Sequence, residues 1–243
     1  MFNGQCSMVN VLDFLFPRHC AVCGTVLHRS EQHVCIRCFM DMPRTLYHMN
    51  EHSRLEKNYW GKIPIVRAAA LMKYTESFKR IIHILKYDGN TSIGEYFGRL
   101  AAQEIRDAST FFSDIDCIIP IPLHWRRQFH RGYNQCYHIA RGISQVTHLP
   151  ILTGIVRRVI DNESQTQLTH EERQQNVQDI FRCTHPERLR GKHILIIDDV
   201  ITTGATTTSC ALSILRALGD YTDDGLNIRS SVRISILALA IAE

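Results

Sequence analysis

The chain has 243 residues, of which 44% are hydrophobic and 21% are charged, which suits one large folded domain with a small appendage and excludes a mostly disordered protein. No stretch approaches the ~18 uncharged apolar residues of a membrane-spanning helix. The net charge of +4, with thirteen histidines counted as neutral, permits binding of phosphate or nucleic acid without requiring it.

The N-terminal segment is predicted to be a short amphipathic helix over residues 1–14. It lacks the basic start of a signal peptide and places Asp13 among its apolar residues. Both features argue against secretion, so the sequence predicts a cytoplasmic protein.

Four of the nine cysteines fall within nineteen residues, as the pairs Cys20-x2-Cys23 and Cys35-x2-Cys38. This spacing is typical of a tetrahedral zinc site with four thiolate ligands. Because the cysteines would fill every position on the metal, the predicted zinc is structural, and so short a segment would need it to fold. The alternative is four unrelated core cysteines in a reduced protein.

The predicted organisation is a helix and zinc ribbon over 1–42, a linker over 43–62 and an α/β domain over 63–243. In the third part, apolar runs predict strands near 63–74, 116–121, 151–156, 192–197 and 230–240. Helical periodicity predicts helices near 77–87, 93–108, 133–147 and 205–218. This alternation predicts a mostly parallel sheet flanked by helices.

A basic loop is predicted after the strand at 116–121. It contains His124, Arg126, Arg127 and Arg131, with no acid among residues 120–135. Arginine side chains form paired hydrogen bonds with phosphate, so in a transferase this loop could hold a leaving pyrophosphate.

Aromatic side chains alternate with these arginines. Trp125, Phe129 and Tyr133 give the segment a composition that also suits single-stranded nucleic acid. The alternative is a solvated basic loop whose aromatic residues belong to the core.

An acidic pair follows the strand at 194–197. Asp198 and Asp199 come directly before a Thr/Gly-rich loop that opens a helix. Ligands bind at the carboxyl edge of parallel sheets, and a helix N-terminus suits phosphate. The carboxylates suit ribose hydroxyls and hydrated Mg²⁺, so the segment predicts a ribose 5-phosphate site. The alternative is a plain turn in which one aspartate caps the helix.

The segment 194–206 resembles the PRPP-binding signature of type I phosphoribosyltransferases. The resemblance implies that Asp198 and Asp199 contact the ribose and act in catalysis. It implies that the 5-phosphate is surrounded by Thr202, Thr203, Gly204, Ala205 and Thr206.

The whole chain resembles the ComF family, which combines an N-terminal four-cysteine zinc ribbon with a type I phosphoribosyltransferase fold. The motifs that carry this resemblance occur in order along the chain: the Cys20–Cys38 cluster, Leu85-Lys86-Tyr87-Asp88-Gly89, Pro120-x-Pro122-Leu-His124, Arg131-Gly-Tyr-Asn-Gln135, a stretch with Arg157 or Arg158, Thr166-Gln167, Arg173 and Asn176 that ends at Phe181, and the loop at 198–206. One departure from the family pattern is the insert at 220–225, which we expect to lengthen a surface loop.

The resemblance implies a cytoplasmic role in DNA uptake during natural transformation. Expected partners are PRPP with Mg²⁺, single-stranded DNA, and a competence helicase or other uptake proteins. The polar segment 157–181 occupies the position of the mobile hood of type I transferases. The enzyme hypothesis is transfer of a phosphoribosyl group to an unidentified acceptor. The alternative is a non-catalytic DNA-binding or adaptor protein that keeps the PRPP pocket as a sensor or relic.

Overall fold

The computed structural model describes residues 17–49, 53–161, 180–222, 225–226 and 231–242. The chain divides into two compact units, Met1–Met42 and Pro43–Glu243. The predicted helix over 1–14 and residues 162–179 of the polar segment lie outside the described residues.

The described part of the first unit holds the cysteine cluster and the short helix α1 (Ile36–Met40). Gly24 N–H donates to Cys20 O at 2.9 Å, which closes the turn of the first cysteine pair. Gly24 has a φ of +75°, a left-handed conformation that glycine adopts without steric cost. Ala21 N–H donates to His33 O at 2.9 Å and ties this turn to the chain before the second pair.

The second unit alternates strands with helices. Among the described residues of this unit, two 3-10 turns cover Tyr47–Met49 and Pro186–Leu189. The remaining elements, in chain order, are α2 (Arg54–Lys57), β1 (Arg67–Lys73), α3 (Glu76–Tyr87), α4 (Thr91–Ala108), β2 (Cys117–Pro120), α5 (Trp125–Arg131), α6 (Gln135–Thr147), β3 (Val156–Arg158), β4 (Phe181–Cys183), β5 (His193–Ile201), α7 (Ala205–Leu218), β6 (Tyr221–Thr222), β7 (Gly225–Leu226) and β8 (Arg233–Ile241).

A four-stranded parallel sheet forms the centre of this unit, in the spatial order β1-β8-β5-β2. Its strands are nearly continuous apolar runs, which is typical of parallel strands covered on both faces. The strands β3 and β4 form a separate antiparallel ribbon. The strands β6 and β7 form a small antiparallel hairpin within the 220–225 insert and its flank.

One buried cluster joins the sheet to α7 and to the segment before β1. It includes Ile194, Ile196 and Ile236 from the sheet, Ile214 and Leu215 from α7, and Leu55, Tyr59 and Ile63 from the preceding segment. Leu55 and Tyr59 have no exposed surface. The 43–62 segment that we predicted as a linker therefore contributes to the core of the second unit, while the predicted domain boundaries themselves stay a prediction.

Helices α4 and α6 cross at very close range. A Cβ atom on Gly98 would lie 2.2 Å from Ile139 O, and one on Gly142 would lie 2.1 Å from Glu95 O. Only glycine permits this approach of two backbones. Helix α6 also contacts β2 and β5, so the α4–α6 pair fixes where α6 begins relative to the sheet.

The predicted parallel sheet flanked by helices is confirmed. One predicted strand, 151–156, is wrong in its extent: Ile151 makes a single parallel bridge to Ile118, and the strand β3 starts only at Val156. Gly154 lies between them with a φ of +76°, which interrupts the extended backbone. Among the helices of the described residues, none has the length and apolarity that crossing a bilayer requires.

Candidate functional site

The four predicted zinc ligands converge in the first unit. The sulfur atoms of Cys20, Cys23, Cys35 and Cys38 all lie within 4.8 Å of one another, and Cys23 Sγ is 3.7 Å from Cys35 Sγ. Tetrahedral zinc with Zn–S bonds of about 2.3 Å places its sulfurs about 3.8 Å apart. The cluster therefore fits a structural zinc ion. Cys35 N–H also donates to Cys20 Sγ at 3.3 Å, a bond that would help to orient the ligand.

The acidic pair lies inside β5 rather than after it. The ladder with β8 continues past both residues, because Asp198 pairs with Ala238 and Val200 pairs with Ala240. Asp198 and Asp199 are therefore held by the sheet and are only 8% and 4% exposed. The alternative that one of them caps the next helix is wrong, since the N-cap residue of α7 is Gly204.

Asp199 is the centre of a network of donors. Its Oδ2 atom accepts a hydrogen bond from Gln135 Nε2 at 2.9 Å and lies 3.0 Å from Lys86 Nζ. Arg131 Nη1 in turn donates to Gln135 Oε1. Burial is the largest single effect on the pKa of Lys86 and lowers it, but the attraction and hydrogen bond of Asp199, together with Cys136 and Asp198, outweigh burial and leave the pKa raised. Lys86 therefore stays protonated and places a positive charge beside the two aspartates.

Asp198 has a more apolar setting. Its Oδ1 atom accepts from Asp199 N–H at 2.9 Å and lies 3.7 Å from the Cys136 thiol. Burial, and then the neighbouring charge of Asp199, hold the pKa of Asp198 well above the usual range of a carboxyl. Burial also raises the pKa of Cys136, so this thiol stays protonated and acts as a weak donor. Asp198 and Asp199 together therefore favour a ligand that offers hydrogen-bond donors or carries positive charge.

The predicted phosphate loop joins β5 to α7. Thr202, Thr203, Ala205 and Thr206 are exposed, whereas Gly204 is buried. The first N–H groups of a helix have no acceptor within the helix, and the helix dipole is positive at this end. The exposed turn can therefore bind an anion next to the acidic pair.

Tyr59 packs beneath this loop. A Cβ atom on Gly204 would lie 3.0 Å from the Tyr59 ring, and Gly204 has a φ of +76°. The Thr207 hydroxyl donates to Gly204 O at 2.8 Å, so its oxygen accepts the hydrogen bond from the Tyr59 hydroxyl, also at 2.8 Å. The loop conformation thus depends on glycine at position 204 and on Tyr59, which belongs to the segment before β1.

The predicted basic loop is helical, which corrects the sequence interpretation. Helix α5 spans Trp125–Arg131 and ends at Gly132, which adopts a left-handed conformation with a φ of +82°. Trp125 and Phe129 are 66% and 82% exposed, so the alternative that these two aromatic residues belong to the core is also wrong. Arg126 lies over the Trp125 ring, 5.3 Å from its centre.

The basic residues of this segment do not form a single cluster. Arg127 Nε donates to Asp161 Oδ1 at 2.8 Å, and His124 Nδ1 lies 3.5 Å from Asp161 Oδ2. Arg131 is the basic residue that the structure connects to the acidic pair, through Gln135. Arg126 stacks on an exposed aromatic ring instead.

Gln135 and Tyr59 both lie around the site, but neither was identified as a site residue from the sequence. Gln135 belongs to the Arg-Gly-Tyr-Asn-Gln motif, so its position after Arg131 was the available signal. Tyr59 lies in the segment without clear periodicity, which offered no signal. Lys86 belongs to the Lys-Tyr-Asp-Gly motif, but only the folded chain places its amine against Asp199.

Comparison with known proteins shows matches over most of the chain. The family described as Double zinc ribbon domain matches residues 11–48. The chain is similar to Competence protein F of Haemophilus influenzae, with 30% identity over 220 residues that cover 89% of this chain and 86% of the relative. It is also similar to the DNA utilization protein YhgH of Escherichia coli strain K12, with 29% identity over 81% of this chain and 84% of the relative.

A more distant relative is Competence protein ComFC of Bacillus subtilis, with 24% identity over 81% of this chain and 77% of the relative. The cysteine cluster, the acidic strand and the Thr/Gly loop thus occur in a chain that aligns with competence proteins over nearly its whole length. The chain belongs to the ComF family of competence proteins.

Proposed function

We propose that the second unit binds PRPP, with the ribose on Asp198 and Asp199 and the 5-phosphate on the first turn of α7. The supporting observation is a nearly buried carboxylate pair directly beside an exposed helix N-terminus at the carboxyl edge of a parallel sheet. Ribose hydroxyls donate to carboxylates, and phosphate oxygens accept from helix N–H groups. A sugar phosphate offers both groups in one molecule.

The pyrophosphate of PRPP needs positive charge near the same edge. Lys86 and Arg131 reach the acidic pair directly and through Gln135, so they are the best placed cations. His124, Arg126 and Arg127 are further candidates on or beside α5. The carboxylate oxygens suit Mg²⁺, which when bound with PRPP would neutralise charge on the pyrophosphate.

The proposed reaction is phosphoribosyl transfer. The bond between ribose C1 and the pyrophosphate oxygen breaks, and pyrophosphate leaves with the bonding electrons. A nucleophilic atom of the acceptor forms the new bond to C1 and loses its proton. The protein contributes by positioning the ribose and by stabilising charge on the leaving group. The acceptor is a molecule that carries such a nucleophile.

The names of the relatives support a role in DNA uptake or DNA use. Competence protein F and YhgH are named for these processes, so DNA and proteins of the uptake apparatus are the proposed partners. The zinc ribbon would serve as a docking module for such a partner. The proposal places this role in the cytoplasm, where thiols such as those of the cysteine cluster stay reduced.

Calorimetric titration of PRPP with Mg²⁺ tests the proposed site. We expect micromolar binding by the wild-type protein and none by the double variant Asp198→Asn with Asp199→Asn. The control variant is Asp107→Asn, because Asp107 is an exposed acid on α4. Equal PRPP affinity in the double variant and in the control would overturn the assignment of the site.

A second candidate function is binding of single-stranded DNA without transfer. The observation that favours it is the pair of exposed aromatic residues on α5, Trp125 and Phe129, among arginines and with no acid in the helix. Bases stack on such rings while arginines contact phosphates. Replacement of both aromatic residues by alanine should weaken oligonucleotide binding, and a salt titration would separate stacking from charge.

A further inference from the structure

We propose that a cavity next to the acidic pair binds a nucleotide unit, with its base among aromatic side chains and its phosphate on arginines. The cavity has a volume of about 920 Å³ and lies at the carboxyl end of β2, between α5, the start of α6 and β3. The described residues that line it include neither the acidic pair nor the start of α7. The inference therefore goes beyond the proposed PRPP site and does not depend on it.

The walls of the cavity suit a planar ring. Trp125, Tyr133 and Tyr137 line it together with apolar side chains such as Pro122 and Leu152. The Tyr133 hydroxyl donates to Leu85 O at 2.6 Å, which fixes this ring in the wall. The volume is in the range of ordinary small-molecule sites, about 300–1,000 Å³, so a base with its sugar can enter.

The charge of the cavity suits an anion. Its described lining contains Arg157 and Arg158 but no aspartate or glutamate. Arg157 also stands directly opposite Arg182 in the β3–β4 ribbon, and both arginines are exposed. Like charges opposite each other destabilise a strand pair, and a bound phosphate would remove this repulsion.

The cavity and the acidic pair share a short stretch of chain. Gly132, Tyr133 and Asn134 line the cavity, and the next two residues, Gln135 and Cys136, contact Asp199 and Asp198 at 2.9 Å and 3.7 Å. A nucleotide in the cavity would therefore lie close to the proposed ribose site, with the start of α6 between them.

An anionic group joined to a planar aromatic ring is the chemistry of a nucleotide. Two kinds of molecule contain this combination: a free nucleoside monophosphate and a nucleotide unit within a single strand. The cavity recognises the shared chemistry, and titrations with dAMP and with a dT12 oligonucleotide distinguish the two sources.

Tryptophan fluorescence gives a local readout, because the chain contains only two tryptophans. In the variant Trp60→Phe, Trp125 is the only tryptophan, and we expect dAMP or dT12 to quench its fluorescence by stacking. In the variant Trp125→Phe, Trp60 reports from outside the cavity and should not respond. Deoxyribose 5-phosphate, which lacks a base, should not quench Trp125.

Affinity measurements test the same site without a reporter. Trp125→Ala should weaken nucleotide binding about tenfold or more, and Arg157→Ala with Arg182→Ala should reduce its salt dependence. The matched control is Trp60→Ala, because Trp60 is 57% exposed, close to the 66% of Trp125. These exposed residues can be replaced without opening the core.

Quenching by dAMP supports the proposal with free nucleotides as the source. Quenching by dT12 alone supports it with a single strand as the source when the arginine double variant weakens that binding, whereas dT12 quenching that this variant leaves unchanged indicates stacking on the exposed face of α5 and overturns the proposal. No Trp125 response to either ligand overturns it, as does binding that is unchanged in Trp125→Ala and in the arginine double variant. PRPP titrations of the same variants distinguish the two proposals. PRPP binding without nucleotide binding refutes the nucleotide site in the cavity and leaves the proposed PRPP site standing.

Discussion

Lys86 Nζ lies 3.0 Å from Asp199 Oδ2, and Gln135 Nε2 lies 2.9 Å from the same oxygen. Lys86 near the end of α3 and Gln135 at the start of α6 therefore both contact a single carboxylate oxygen of β5. The carboxylate is 6% exposed, while the lysine side chain is 25% exposed. This arrangement keeps a negative group in the sheet and ties two helices to it.

Replacement of Lys86 by methionine should destabilise the second unit, because it leaves Asp199 buried without its positive partner. We expect a loss of about 1–3 kcal/mol in the free energy of unfolding, measured by urea denaturation. The double variant Lys86→Met with Asp199→Asn should lose less than the sum of the two single changes. Strict additivity would show that the ion pair contributes nothing.

Gln135 should affect ligand binding more than stability. Gln135→Leu removes the donor to Asp199 and the acceptor of Arg131, so PRPP affinity should fall about tenfold, or roughly 1.4 kcal/mol. Gln145→Leu is the matched control, because Gln145 is an exposed glutamine on the same helix. An equal PRPP affinity in the two variants would remove Gln135 from the site.

Local sequence signals predicted the sheet, its helices and the cysteine cluster, because each depends on periodicity or spacing within a short window. The same signals did not predict α5, since Trp125–Arg131 has exposed aromatic residues and arginines in place of an apolar stripe. Tyr59 was also missed, because its contact with Thr207 spans 148 positions of the chain. Long-range contacts of this kind leave no local pattern.

The pH dependence of stability should reveal the environment of Asp198. Folding raises the pKa of this carboxyl, so the native chain binds its proton more tightly than the unfolded chain, whose value is ~3.9. The contribution of Asp198 to stability is therefore present below about pH 4 and is lost as the pH rises through the raised pKa.

The variant Asp198→Asn removes this titration. Its Tm should rise relative to wild type as the pH goes from 4 to 8, by several degrees for about 1–2 kcal/mol in a protein of this size. Differential scanning calorimetry at three pH values would measure the trend. Asp107→Asn, at an exposed site, should show a constant difference, and a constant difference for Asp198→Asn as well would contradict the raised pKa.

Gly204 should tolerate alanine poorly for two separate reasons. Its φ of +76° is unfavourable for any side chain, and the new Cβ would lie 3.0 Å from the Tyr59 ring. Gly191→Ala is the matched control, because Gly191 has a φ of +71° but nothing within 4 Å of the new atom. The control should lose about 1–2 kcal/mol from backbone strain alone, and Gly204→Ala should lose more. Equal losses in chemical denaturation would exclude the Tyr59 contact as a constraint.

Removal of one cysteine of the cluster should release zinc. Cys20→Ser is expected to lower the zinc-to-protein ratio and to destabilise the first unit, because the metal contributes much of the folding free energy of such a segment. The ratio can be measured by elemental analysis after dialysis. Cys183→Ser, at a cysteine outside the cluster, should leave it unchanged, and an unchanged ratio in Cys20→Ser would refute the four-cysteine site.

The close crossing of α4 and α6 has a consequence for the evolution of the site. Helix α6 begins at Gln135 and meets α4 at Gly142, about 10 Å further along its axis. With backbone against backbone at that point, α6 cannot move closer to α4. The position of Gln135 against Asp199 therefore also depends on α4, a helix that contributes no residue to the described lining of the cavity. Changes in ligand preference are therefore more accessible through α5, whose exposed side chains can be exchanged singly, than through α6, where two helices would have to change together.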